Sequence, residues 1–503
     1  MPRRPLRASF QAFSLDPSSP EPLHRQLYDE LRSAILNGRI LAGSRLPASR
    51  ELATAARVSR NTVLTAYEQL SAEGYIHSRS GSGTYVAESI PESLPPESAT
   101  PAAPPATGDR RRIAERGERA RQDVFVRHEI PQLAAAFRPG LPALDHLPMD
   151  TIRRIADRRL RRVSVRLLAY GDPMGYLPLR AAIAAQLAAA RGVRTRPENV
   201  LIVNGAQEGV TMCARLLADP GESVWMEEPG YFGARSAFSI TGARLVPVPV
   251  DADGLDVAAG IARAPRARVA YCTPSHQNPT GVTLSLARRM ALLQWAQTHG
   301  AWIVEDDNAS EYRYRGRPLA ALQGIDRAAR VLYVGTFSKV LFSSLRLGYV
   351  VLPDDLVPAF SNAQLAQGRG ANTLVQAVVA DLIEDGHLGR HVRRMRTLYA
   401  ARLEALERAV ARHGTDVLRL QRIEGGLNQL AWLPDGVDDL DVASDLAGQG
   451  IVVMPLRTYY ATTPARPGLV LGFAAAPEAE IDRGIERIAA TVREHQRRAR
   501  RTP

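Results

Sequence analysis

A single lysine stands in the stretch from Gly335 to Tyr349, Gly-Thr-Phe-Ser-Lys-Val-Leu-Phe-Ser-Ser-Leu-Arg-Leu-Gly-Tyr. Lys339 offers a primary amine, and the hydroxyls around it and Arg346 are groups that bind anions. The apolar run from Arg330 to Val334 predicts a buried strand that ends where the polar residues begin. Lys339 would then face a crevice at a strand end. The alternative is a solvated loop lysine, and the neighbouring sequence decides between them.

Three earlier segments also run from an apolar strand into polar or turn residues: Ala301–Asn308, Val269–Gly281 and Val200–Gln207. The first ends in carboxylates, the second in Asn-Pro-Thr-Gly, and the third in small residues that let a helix N-terminus approach an anion. In an open α/β sheet such strand ends meet at one crevice. A lysine, an acid, an asparagine and an anion cradle are the groups that pyridoxal phosphate (PLP) requires.

From about Ala136 onward the chain resembles the fold type I, aspartate-aminotransferase-like PLP proteins. The resemblance implies that Lys339 forms the Schiff base, Asp306 faces the ring nitrogen, and Asn278 binds the phenolic oxygen. Tyr231 of Glu-Glu-Pro-Gly-Tyr would stack on the ring, and Tyr170 of Tyr-Gly-Asp-Pro-Met-Gly would reach the cofactor of a partner subunit. The residues implied in phosphate binding are Gly205, Ala206, Gln207, Thr336, Ser338 and Arg346.

The composition limits the other classes of function. The 503 residues carry a formal net charge of +12, mostly through arginine, which permits a polyanionic partner without establishing one. No apolar run is long enough to cross a bilayer, and the N-terminus lacks the apolar stretch of a signal peptide, so we expect a cytoplasmic location. Cys213 and Cys272 lack metal-ligand spacing, so we expect packing residues and no metal site.

The segment from Leu23 to Glu88 predicts a winged helix-turn-helix. Apolar residues from Leu23 to Leu36 fall at helical spacing, and Asn37-Gly38 ends that helix. A second helix should start near Ser49 as its N-cap, and a third should start after Ser59. The run Gly74–Val86 then forms two short strands around a Gly/Ser turn.

Within this segment, Leu-Pro-Ala-Ser-Arg-Glu-Leu-Ala and Val-Ser-Arg-Asn-Thr-Val are similar to the GntR family of DNA-binding domains. A recognition helix places its N-terminal residues on base edges, while the backbone of a glycine-rich wing can approach phosphates. A small helical protein-binding module is the alternative. The residues expected to contact DNA are Ser49, Arg50, Ser59, Arg60, Asn61, Thr62, Arg79 and Gly81.

The sequence therefore predicts a multidomain chain: a winged helix-turn-helix (α+β) followed by an α/β fold type I PLP-dependent transferase domain with a small α+β C-terminal domain. The predicted bounds are 20–88 for the DNA-binding domain, 89–132 for a Pro/Ala/Arg-rich linker and 133–503 for the PLP domain. The small subdomain is expected from about residue 400. Residues 361–413 are expected to form two helices.

This arrangement resembles the MocR/GabR family of regulators over nearly the whole chain. The resemblance implies a homodimeric transcription factor that binds double-stranded operator DNA with two half-sites. It would sense PLP or an amino compound through an aldimine at Lys339. An active aminotransferase that carries a DNA-binding module is the alternative.

Two departures from the related enzymes bear on that choice. Asn308 stands where a tyrosine is usual, and no arginine lies near Val470, where aminotransferases bind the substrate carboxylate. Arg235, Arg457 and Arg466 are possible substitutes.

Overall fold

The structure is a computed structural model that describes residues 15–79, 82–88, 113–122, 136–316, 319–462, 464 and 466–501. The chain divides into two compact units, one up to Arg112 and one from Ile113. The finer bounds expected at residues 20, 88, 132 and about 400 stay predictions. Within the described ranges, no helix is both long enough and apolar enough to cross a membrane.

The described residues of the first unit form three helices and a hairpin: α1 (Leu23–Leu36), α2 (Ser49–Ala56), α3 (Arg60–Ala72), β1 (Ile76–Arg79) and β2 (Gly83–Val86). Its core is built from residues at helical spacing, among them Leu27, Leu31, Val63 and Leu70, which are fully buried. The two strands pair antiparallel. This is the winged helix-turn-helix that the sequence predicts.

Two helix starts in this unit can be compared with their predicted caps. The Ser59 hydroxyl accepts a hydrogen bond from the Thr62 backbone N–H at 3.1 Å, so Ser59 caps α3 as predicted. The prediction for Ser49 is wrong, because the N-cap of α2 is Ala48. Glu51 replaces the missing cap, since its carboxylate accepts from the Ala48 N–H at 3.3 Å.

The second unit is organised around an eight-stranded sheet in the order β3-β10-β9-β8-β7-β4-β5-β6. Strands β4, β5, β7, β8 and β9 run parallel, whereas β10 is antiparallel to both of its neighbours. The strands are β3 (Val200–Val203), β4 (Ser223–Glu228), β5 (Arg244–Asp251), β6 (Gly254–Leu255), β7 (Val269–Cys272), β8 (Trp302–Asp306), β9 (Val331–Thr336) and β10 (Gly348–Val351).

A smaller antiparallel sheet has the order β11-β12-β14-β13. Its strands are β11 (Arg419–Leu420), β12 (Asn428–Trp432), β13 (Met454–Pro455) and β14 (Gly468–Gly472). The predicted strands around Leu430 and Val470 are confirmed as β12 and β14. Cys213 and Cys272 are both buried, as expected of packing residues.

The helices of the second unit surround these sheets: α4 (Glu115–Gln122), α5 (Met149–Arg161), α6 (Val165–Leu168), α7 (Leu177–Arg191), α8 (Ala206–Leu217), α9 (Phe232–Thr241), α10 (Val257–Arg263), α11 (Leu286–His299), α12 (Leu322–Ile325), α13 (Val357–Ala366), α14 (Thr373–Glu384), α15 (His387–His413), α16 (Asp439–Gly448) and α17 (Glu478–Arg501). The prediction of two helices over residues 361–413 is wrong. Three helices occupy that region, because the chain adopts positive φ at Gly368 to Gly370 as well as at Gly386.

Candidate cofactor pocket and DNA-binding surface

A cavity of about 290 Å³ lies at the carboxyl ends of the parallel strands. It is lined by Gly205, Ala206, Gln207, Tyr231, Thr273, Asn278, Asp306, Asn308, Thr336, Ser338, Lys339, Ser343 and Arg346. The structure thus brings together every cofactor residue named from the sequence except Tyr170. The crossover geometry of parallel strands explains why, since it places all their carboxyl ends at one edge.

Lys339 follows β9 by three residues and lies at the wall of the cavity. Its Nζ donates a hydrogen bond to the Gly140 carbonyl at 2.9 Å. Burial lowers the pKa of the Lys339 ammonium; nearby Asp306 opposes this shift, and the positive charge of Arg138 adds to it. A lowered pKa favours the neutral amine, which is the nucleophilic form. Lys339 is also the only lysine in the sequence.

Asp306 is the last residue of β8 and is buried. It accepts a hydrogen bond from the Tyr271 hydroxyl at 2.5 Å. Burial raises the pKa of the Asp306 carboxyl to about 6, although the Tyr271 bond and Lys339 oppose the shift. Tyr271 is a partner that the sequence does not reveal. Its place beside Asp306 depends on the pairing of β7 with β8, which no local pattern specifies.

Tyr231 and Asn278 are held by hydrogen bonds beyond the cavity wall. The Tyr231 hydroxyl donates to Gln207 Oε1 at 2.9 Å, which fixes the ring at the start of α9. The loop that carries Asn278 is braced by buried Glu227. That carboxylate accepts from Thr273 N–H at 3.0 Å, from Thr273 Oγ1 at 2.6 Å and from Gln277 Nε2 at 3.1 Å.

Burial raises the pKa of the Glu227 carboxyl to about 7 despite these bonds. Sequence reasoning missed both Glu227 and Thr273. The acidic pair before Pro229 was the only available signal for Glu227.

The anion end of the cavity is formed by the first turn of α8. Gly205 precedes that helix with φ of +91°, and the free N–H groups of a helix start attract anions. A side chain at Gly348 would place its Cβ 2.8 Å from the Gly205 carbonyl carbon and 2.9 Å from the Ala206 nitrogen. The turn therefore requires glycine at position 348.

Hydroxyl and guanidinium donors complete this end. The Thr336 and Ser338 hydroxyls are 3.1 Å apart, and the Arg346 guanidinium has no hydrogen bond or ion pair with any described residue. A phosphate would pair with these donors. The donor set therefore fits PLP, because one cavity holds phosphate-binding groups, a buried acid and a single amine. Bound there, PLP supplies an aldehyde that bonds covalently to a primary amine.

The remaining sequence candidates are not among the residues that line the cavity. Tyr170 is 87% exposed, and Arg369 stacks over its ring at 4.9 Å. Arg235 donates to the Thr458 carbonyl at 3.1 Å, Arg457 pairs with Asp438 at 3.0 Å, and Arg466 lies 5.2 Å from the centre of the Trp432 ring. None of these arginines lines the cavity.

The predicted DNA contacts lie on the surface of the first unit. Arg60 and Asn61 are exposed at the start of α3, and Arg50 is exposed on α2. Arg60 Nε donates to the Ser49 hydroxyl at 3.3 Å, which links the two helices. The Thr62 hydroxyl lies 2.8 Å from that of Ser59.

In the wing, Arg79 lies over the Tyr85 ring at 5.1 Å, and Gly81 falls outside the described residues. An exposed positive N-terminus on α3 is the geometry of a recognition helix.

Two family models match the chain, one in each unit. Residues 23–86 match the family of bacterial regulatory proteins, gntR family, and residues 143–488 match aminotransferase class I and II. The crystal structure of LysN, an α-aminoadipate aminotransferase from Thermus thermophilus complexed with N-(5'-phosphopyridoxyl)-L-leucine, has a TM-score of 0.69 at 27% identity. That match covers 76% of this chain and 98% of LysN. The second unit is therefore a fold type I PLP-binding domain, and the chain joins it to a GntR-type winged helix.

Two relatives that match over nearly their whole length show which class of protein this chain belongs to. The chain is 40% identical to the probable rhizopine catabolism regulatory protein MocR of Rhizobium meliloti, over 94% of each chain. It is 31% identical to the HTH-type pyridoxine biosynthesis transcriptional regulator PdxR of Corynebacterium glutamicum, over 92% of this chain and 95% of that one. The chain belongs to the MocR family of PLP-dependent transcriptional regulators.

Proposed function

We propose that occupancy of the cofactor cavity controls how this regulator binds its operator. The signal is PLP itself or an amino compound that reacts with bound PLP at Lys339. The observation that supports this proposal is a cavity that holds a partly buried amine and an Arg346 with no partner among the described residues, in the same chain as an exposed recognition helix. A ligand shifts such an equilibrium only if it binds one arrangement better than the other.

The residue roles in this proposal are those that the resemblance to fold type I PLP proteins implies, and all of these residues line the cavity. Lys339 bonds to the cofactor, Asp306 pairs with the ring nitrogen, and Asn278 binds the phenolic oxygen. Tyr231 covers the ring, with its hydroxyl held by Gln207. The phosphate is held by the first turn of α8 with Thr336, Ser338 and Arg346.

A homodimer is part of the proposal because the surface around α6 suits a second copy. Val165, Leu168 and Tyr170 are 82%, 73% and 87% exposed, which is unusual for neighbouring apolar side chains. Tyr170 also lies outside the cavity of its own chain, as expected of a residue that serves the partner's cofactor. Two winged helices in one dimer would occupy two half-sites.

The names of the similar proteins favour different signals. PdxR is named for pyridoxine biosynthesis, which supports PLP as the signal, whereas LysN binds an amino acid joined to the cofactor. The experiment measures operator binding with cofactor-free protein, with PLP, and with PLP plus a panel of α- and ω-amino compounds, while the visible absorbance is followed in parallel. A footprint that responds to PLP alone supports cofactor sensing. An amine that changes both the spectrum and the footprint supports amine sensing.

Identical operator binding in every condition would contradict the proposal. The second candidate is an aminotransferase with a DNA-binding module, which the match of residues 143–488 to aminotransferase class I and II favours. Rapid conversion of an amino donor to its keto acid, together with unresponsive operator binding, would select that candidate.

A further inference from the structure

The short segment from Ala136 to Gly140 links the small sheet to the cofactor cavity. It lies along the end of β14, where the Gly472 N–H donates to the Phe137 carbonyl at 2.7 Å. At its other end, Gly140 N–H donates to Asn428 Oδ1 at 2.6 Å, and Gly140 accepts the bond from Lys339 at 2.9 Å. The residue between these fixed points is therefore held close to the cofactor lysine.

Arg138 lies between those points, and its guanidinium has no hydrogen bond or ion pair with any residue that the structure describes. It is only partly exposed. The Gly140 carbonyl that accepts from Lys339 is only two residues along the chain from Arg138, and the positive charge of Arg138 contributes to the lowered pKa of the Lys339 ammonium. A partly buried cation without a counter-charge is unfavourable, and an anion beside it would relieve that cost.

Asn428 provides a second donor near this place. Its Oδ1 is used by Gly140, while its Nδ2 has no acceptor among the described residues. An amide and a guanidinium on adjacent backbone segments match the two oxygens of a carboxylate.

Other arginines do not compete for this role. Val470 on β14 is fully buried in an apolar cluster, and the three substitutes named from the sequence are engaged elsewhere. Arg346 lines the cavity beside the hydroxyls of the anion end. Arg138 is thus the arginine that remains, two residues before the Gly140 carbonyl that accepts from Lys339.

We propose that Arg138 and Asn428 form a carboxylate-binding subsite, so that the effector is an amino acid rather than a simple amine. This inference rests on the proposed function, because it assigns the chemical class of the compound that reacts at Lys339. It also gives the chain a replacement for the arginine that is missing near Val470.

The test uses full-length protein loaded with PLP and titrated with matched pairs, such as L-alanine with ethylamine and L-leucine with isopentylamine. Visible absorbance measures the apparent affinity of each compound. We expect the wild type to prefer the acid of each pair. Arg138→Gln should weaken the acids about 10- to 100-fold and change the amines by less than about 3-fold, as expected for loss of a charge-assisted pair. Arg466→Gln, which removes an arginine stacked on Trp432, is the control and should leave both series unchanged.

Arg138→Lys keeps the charge without the planar fork, so acid affinity should fall by a smaller factor. If Arg138→Gln fails to take up PLP, the lysine variant decides through the same acid-to-amine ratio. Equal wild-type responses to acids and amines, or acid affinities unchanged in both variants, would overturn the subsite. Selective loss of the acids together with operator binding that ignores every compound would uphold the subsite and contradict the proposed sensing.

Discussion

The recognition helix and the cofactor cavity differ in how their functional groups are positioned. On α3 the residues expected to contact bases follow one another in the sequence, and Arg60 and Asn61 are exposed. A local cap at Ser59 fixes the start of the helix. In the cavity the groups come from positions as distant as Gly205 and Arg346, and their burial ranges from buried Asp306 to exposed Arg346. Substitutions on α3 should therefore affect DNA binding with little effect on folding. Substitutions in the cavity should affect cofactor binding and stability together.

The largest expected effect is in the cavity. Lys339→Ala should abolish covalent fixation of PLP by borohydride, because no other lysine can take its place. Wild-type protein should retain one reduced cofactor per chain, measured by absorbance after denaturation and by mass. Operator affinity of the cofactor-free variant should equal that of the cofactor-free wild type. A reduced cofactor elsewhere in the variant would contradict the assignment.

The next largest effect should be on operator affinity, when one residue of α3 that is expected to contact a base is replaced. If Arg60 contacts a base, Arg60→Ala should cost about 1–3 kcal/mol at the operator and much less on random DNA. Arg39→Ala is a suitable control, because Arg39 is an exposed arginine that pairs with Glu30 at 3.9 Å. Binding curves on both DNAs measure the effect. Equal losses on operator and random DNA would make Arg60 a phosphate contact.

Cofactor binding in the cavity should depend on pH, because burial raises the pKa of Asp306 to about 6. Below that pH the carboxyl binds a proton and no longer offers a negative charge to the ring nitrogen. Protonation of Asp306 should therefore lower the affinity for PLP by about tenfold for each pH unit below 6. In cofactor-free protein the folded state holds this proton more tightly than the unfolded chain. The contribution of Asp306 to the free energy of unfolding should then decline as the pH rises from about 4 to about 6.

Asp306→Asn isolates the contribution of Asp306 to this pH dependence, because Lys339 and PLP itself still titrate in both the wild type and the variant. PLP titrations between about pH 5 and 8 should give a shallower profile for the variant. Parallel profiles for the two proteins would show that Asp306 does not titrate in this range.

The smallest expected effect is local to the first unit. Ser59→Ala removes the hydroxyl that accepts from the Thr62 N–H, and loss of such a cap should lower the free energy of unfolding by about 1 kcal/mol. Ser71→Ala, at an exposed position near the other end of α3, is the control. Denaturant unfolding of the full chain measures both. A cap variant as stable as the control would mean that the start of α3 does not depend on Ser59.

Local patterns were enough to predict the winged helix and the strand ends around the cavity. Buried β-branched runs specified β3, β7, β8 and β9, and the polar residues after them were predicted correctly to share one edge. The remaining contacts depend on pairings between distant segments. Tyr271 meets Asp306 only through strand register, and Arg138 approaches Lys339 from a segment far away in the sequence. Likewise, the third helix between residues 357 and 413 depends on glycine conformations that periodicity does not reveal.

The solitary, partly buried Lys339 has a practical consequence for measurement. Amine-acylating reagents can modify only this side chain and the α-amino group at the chain terminus. A chain whose lysine is bonded to the cofactor is protected, and a chain with an empty cavity is not. The extent of acylation at Lys339, read by mass spectrometry against the terminal amine as an internal standard, would report cofactor occupancy in free protein and in the DNA complex alike.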